Sequence, residues 1–247
     1  MNKNNKKNRK DAAMGILKDI FGDYWTDFNN AVHASDDLEA AINAKDFNGA
    51  KEAIKHANPT KLAGDDRLIK IIREYAQSED HDPEFLAQLR QCLYQEFDNK
   101  LNNDSFFAET YEAEKPAGEY NHPLHVYGWA LFTGDLDKIK ELHEQGIHPD
   151  RVSDYGGVSE SAVLASARLG LFECMKEVIR QGASIDRNFG LDDFAPIHYF
   201  SKPLFHIMHP GVTQALLETD NIRIVEAARR AQHQIEKANS DELRPVR

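Results

Sequence analysis

Cysteine is nearly absent. Only Cys92 and Cys174 occur in 247 residues, too few for a disulfide framework, and a reducing, cytoplasmic setting is expected. No apolar run approaches the roughly 18 residues of a membrane helix, so no membrane span is expected. The opening MNKNNKKNRK is basic but leads into no apolar h-region, which argues against a secretory signal. Also missing are a G-x-S-x-G elbow, a phosphate-cradling P-loop and a G-x-G-x-x-G fingerprint. Their absence removes the motif-borne routes to hydrolase, nucleotide-binding and dinucleotide-binding readings. Positive charge is the scarcer sign, with 30 Lys and Arg against 41 Asp and Glu, a net −11. Five of the positive charges fall within residues 1–10, which leaves −16 on the remainder. A body that acidic repels phosphate backbones, so nucleic acid is not the expected partner.

What is present suffices for a core: 41% of residues are apolar and 9% aromatic. The strongest pattern is internal. Gly134–Arg151 (GDLDKIKELHEQGIHPDR) aligns without a gap on Gly170–Arg187 (GLFECMKEVIRQGASIDR) at an offset of 170 − 134 = 36. Seven of the eighteen positions are identical, and these include Gly134/Gly170, Gly146/Gly182 and Asp150/Asp186. Leu136, Ile139 and Leu142 recur at helical spacing and are matched by Phe172, Met175 and Val178. Gly146 and Gly182 then stand where a helix ends and the left-handed conformation favours glycine. Upstream, Leu124, Tyr127, Gly128 and Leu131 predict the packing face of a first helix, with Pro123 suited to its opening turn. Val163, Leu164 and Ala167 do the same in the next unit. Trp129 is expected in the core, and both cysteines are expected to be buried.

These residues resemble the ankyrin repeat. The segment His122–His125 (HPLH), Gly134-Asp135-Leu136 and Gly146 are similar to the family's TPLH element, mid-repeat glycine and closing glycine, and Pro196-Ile197-His198 echoes TPLH again. The 36-residue spacing exceeds the family's usual 33. The three extra residues fall in or after the first helix, nearly one helical turn. The threonine cap of TPLH is missing throughout, and Asn121 and Ser159 are the expected substitutes. The resemblance implies an all-α, ankyrin-like solenoid of helix pairs over residues 122–220, with projecting finger turns at Asp154–Gly157 and Asp186–Asp193. Residues 11–98 read as an N-terminal helical cap with degenerate repeats. Within them Ala12–Val32 is one amphipathic helix, Leu38–Asn58 a helix pair broken near Asp46, and Arg67–Gln77 with Pro83–Phe97 a second pair. Residues 1–10 read as a disordered basic leader, 99–121 as a linker or inserted loop, and 221–247 as a last helix with a polar tail.

Eleven histidines invite a metal reading, and His122/His125 and His206/His209 have the i, i+3 spacing that puts two rings on one helical face. No Cys or HExxH context accompanies them, and a structural role is expected. Asp36-Asp37 and Asp65-Asp66 suit helix N-termini. No catalytic, cofactor or metal set is expected. The finger residues Arg151, Asp154, Tyr155, Arg187, Phe189 and Asp192 combine aromatic and arginine side chains, the types that dominate interface hot spots. The expected function is therefore a non-enzymatic scaffold that docks another protein, one with a basic patch, through its fingers and inner helices. Irregular repeat length with attached nonrepeat helices is similar to the secreted effectors of intracellular bacteria, which would put the chain in a host cell by a non-Sec route. Two rivals stand beside it. One is an enzyme with its activity in the N-terminal half and the repeats as substrate recruiter; the other is a scaffold whose acidic groove mimics nucleic acid.

Overall fold

The apolar periodicities become helices. In this computed structural model the described residues are 23–57, 67–103, 123–150, 161–188 and 195–242, and among them the regular structure is all helical. The elements are α1 (Asp23–Ala44), α2 (Phe47–His56), α3 (Arg67–Gln77), α4 (Pro83–Asn103), α5 (Pro123–Thr133), α6 (Leu136–Glu144), α7 (Ala162–Arg168), α8 (Phe172–Arg180), α9 (Pro196–Phe200), α10 (Pro203–Met208), α11 (Val212–Leu217) and α12 (Ile222–Glu242).

They pack in sequence order. The first helices of successive pairs touch, α1 on α3, α3 on α5 and α5 on α7, and second helices touch as α2 on α4, α6 on α8 and α8 on α11. Helix α12 closes against α9, α10 and α11. One apolar cluster runs through the stack from Ala34 to Ala228. Trp129 and both cysteines lie in it, as expected.

The turns explain the repeat. Gly134 and Gly170 adopt φ of 72° and 71°, and Gly146 and Gly182 adopt 86° and 84°. The backbone bonds around them repeat at the same offset. Asp135 N–H donates to Ala130 O at 2.8 Å and Leu171 N–H to Ser166 O at 2.9 Å, while Ile147 reaches Leu142 O at 3.0 Å and Ala183 reaches Val178 O at 3.1 Å. Identical residues at Asp150 and Asp186 each reach the following unit. Asp150 Oδ1 accepts from Ser184 N–H at 2.9 Å, and Asp186 holds the Arg223 guanidinium through two bonds of 2.6 and 2.7 Å.

The same turn recurs, disguised, between α1 and α2. Lys45 takes the left-handed position with φ of 52°, Asp46 N–H donates to Ala41 O at 2.8 Å, and Asp46 caps α2 as Asp135 caps α6. A side chain in that region costs about 1–2 kcal/mol, which glycine avoids at a smaller entropic cost. Lys45→Gly is accordingly expected to stabilise the protein by about 0.5–1 kcal/mol, read as a higher urea midpoint at unchanged m-value.

Four expectations need correction. Helix α1 runs unbroken past Val32, so Asp36-Asp37 lie in its interior; no proline or glycine interrupts Val32–Leu38, and Asp36 instead pairs with Arg67 at 2.6 Å. Helix α4 continues through Asn103, past the start of the stretch read as a linker. The cap of α7 is Ser161, which accepts from Leu164 N–H at 3.1 Å; Ser159 lies outside the described residues. The last unit is not a helix pair: Pro203, Pro210 and Gly211, the last at φ of 87°, divide it into α9, α10 and α11.

The α3–α4 pair is joined to α5 and α6 by side chains, two of which meet orphan carbonyls at a helix end. Arg73 Nη1 donates to Phe132 O at 3.1 Å and Arg90 Nη2 to Thr133 O at 2.7 Å, both at the end of α5, where cations suit the helix dipole. Tyr94 O–H donates to Asp135 Oδ2 at 2.8 Å. Phe97 meets Trp129 edge to face at 5.5 Å.

Candidate functional site

The sequence points to the fingers. Of its six candidate residues, Arg187 is described and exposed, its backbone N–H donating to Ser184 Oγ at 3.1 Å. Arg151, Asp154, Tyr155, Phe189 and Asp192 lie outside the described residues, as do His122 and the side chain of His125. What the structure does place are residues flanking these stretches: Asp150 is tied to Ser184 and Asp186 to Arg223.

Along the row of second helices runs an open groove of about 620 Å³, walled by α6, α8 and the α11–α12 turn. Its charges alternate. Lys176 Nζ binds Glu173 at 2.6 Å and Glu218 at 3.1 Å, and these two hydrogen bonds raise the lysine above its ordinary value. Arg180 binds Glu177.

From Glu177 in the groove wall a relay that sequence reading missed runs inward. Glu177 Oε1 accepts from His143 Nδ1 at 3.2 Å and from Gln181 Nε2 at 3.1 Å. With that ring nitrogen donating, His143 Nε2 accepts from Tyr127 O–H at 2.8 Å. Hydroxyl, imidazole and carboxylate thus stand in the order of an acid–base triad, one from each of α5, α6 and α8.

Burial decides what the relay does. Tyr127 is fully buried and the His143 and Glu177 side chains are 3% and 5% exposed. Desolvation drives the tyrosine well above its ordinary value and lowers the histidine. Burial alone would raise Glu177, but bonds from Gln181, His143 and Arg180 outweigh it and hold the carboxyl below its ordinary value. A neutral imidazole therefore bridges a protonated phenol and a carboxylate, and no substrate atom can reach the hydroxyl. The arrangement fastens one unit to the next. A signal for it existed: His143 aligns with buried Ile179 one repeat later, so the histidine occupies a core-facing slot.

The second histidine pair is resolved in the same way. His206 is buried, with Nε2 donating to Phe200 O at 2.8 Å and Nδ1 accepting from Thr213 Oγ1 at 2.8 Å. Both nitrogens are engaged in holding α9, α10 and α11 together. Among the described residues, no group of three or more His, Cys, Asp or Glu side chains is arranged to hold a metal ion, and no helix is long and apolar enough to cross a membrane. Burial raises both thiols, Cys174 to about 12, far from the thiolate a nucleophile needs.

No known family model matches the chain, and no curated protein or solved structure matches it either.

Proposed function

We propose that the chain is an ankyrin-type interaction scaffold that docks another protein through its finger turns and the adjoining face of the helix stack. The observation carrying this reading is the matched geometry of two turns 36 residues apart, each with its aspartate tied to the unit that follows. Stacked units of this kind present tips in a row on a prefolded support, and a prefolded surface loses little conformational entropy on docking. The acidic balance of the chain favours a partner with a basic patch and speeds encounter at low salt. By the same resemblance the proposal extends to an effector acting in the cytoplasm of a host cell.

Affinity capture with mass spectrometry, using the full chain, tests the proposal. Tyr155→Ala combined with Phe189→Ala is expected to abolish recovery of the main partner while circular dichroism stays unchanged. Undiminished recovery removes the fingers from the reading.

A further inference from the structure

Among the described residues four large apolar side chains stand exposed: Leu204, Ile207, Met208 and Ile222. Three of the four occupy one short helix, α10, at positions i, i+3 and i+4, so they share a face. Their exposures are 65%, 61% and 64%. Single exposed apolar residues need no explanation, but a contiguous set on one face does.

The helix is not a loose tip. Its inner face is seated by Phe205, whose ring lies 5.8 Å from Phe200 and 4.6 Å from His209, and by the doubly bonded His206. Pro203 at its first turn fixes the entry. The apolar face is thus held outward by buried contacts on the opposite side, and ordering it on docking costs little.

Charge indicates the partner. From Ala195 to Leu217 there is no Asp or Glu, in a chain where acids outnumber bases by 41 to 30. Lys202 stands exposed at the N-cap of α10, where a cation gains nothing from the helix dipole. His209 stands at the other end and exposed His198 lies on α9. Lys202 is thus a cation open to an acidic partner.

We propose that α10 is a docking face for an amphipathic helix of a partner protein, its apolar stripe covering Leu204, Ile207 and Met208 and its acidic rim meeting Lys202. Helix-on-helix recognition uses this anchor spacing. A lipid surface fits less well, because three side chains anchor only marginally. The proposal rests on the reading of the chain as a protein-binding scaffold, but not on its fingers.

The test uses the full chain and two labelled synthetic helices with one leucine stripe, rimmed by glutamate in one and by lysine in the other. Fluorescence anisotropy is expected to show binding of the glutamate-rimmed helix, weakened roughly tenfold or more by Leu204→Gln with Ile207→Gln. Lys202→Glu is expected to reverse the preference between the two helices. All three positions are surface positions, and unchanged thermal unfolding separates lost binding from lost folding. Absent binding, or equal binding by the double variant, overturns the proposal. So does binding to phosphatidylserine–phosphatidylcholine vesicles that needs Leu204 and Ile207 while peptide binding does not. Measuring the Tyr155→Ala, Phe189→Ala variant alongside distinguishes failure of this face from failure of the fingers.

Discussion

Gly134→Ala is expected to destabilise the protein by about 2–4 kcal/mol, and Gly170→Ala by only about 1–2. The two glycines are sequence twins with the same backbone angle, so the left-handed penalty is shared. The surroundings differ. A Cβ on Gly134 would stand 2.8 Å from Leu171 Cδ2, whereas one on Gly170 would find nothing nearer than Gln77 Nε2 at 3.9 Å. Leu171 is itself buried and has little room to retreat. In thermal unfolding the first variant should lose on the order of 5–15 °C in Tm and the second about half that. Equal losses would mean that Leu171 yields readily to the added methyl, and that backbone conformation alone explains both glycines.

That contrast also marks what a sequence can disclose. Glycine spacing and apolar periodicity repeat along the chain, so the frame of α5 to α8 was legible, including the match of Gly134 with Gly170. Lys45 hid a third copy of the turn because a lysine carries no left-handed signature. The acid pair Asp36-Asp37 suggested a helix start where nothing interrupts α1. Proline and glycine at 203, 210 and 211 were visible, yet the opening Pro196-Ile197-His198 outweighed them and suggested a pair where three short helices form. The Tyr127–His143–Glu177 relay was out of reach for a different reason. Its members are 16 and 34 residues apart, and periodicity gives the face of a helix but not which groups meet across a stack.

Removing the carboxylate from that relay is the sharper test of how the units are fastened. Glu177→Ala leaves the His143 N–H without its acceptor inside the stack, and an unsatisfied buried donor costs about 1–3 kcal/mol before the missing side-chain volume is counted. A total of about 2–4 kcal/mol is expected, seen as a lower urea midpoint. Arg180 adds little to this, since its side chain is 61% exposed and regains water when released. The pH dependence follows from the same groups. His143 and His206 are both lowered from the ordinary 6.5, chiefly by burial. As pH falls below that value the unfolded chain takes up protons that the native histidines refuse, so stability declines. Glu177 is held below its ordinary 4.5, so its contribution persists above that pH and is lost as pH falls further. Tm measured from pH 8 downward should therefore bend twice, first near neutrality and again in the carboxylate range. His143→Gln keeps a donor toward Glu177 and an acceptor for Tyr127 but cannot titrate, and it should flatten the first bend without abolishing it, because His206 remains. An unchanged first bend in that variant would show that His143 is already in contact with solvent, and that the relay is not the tie between α6 and α8.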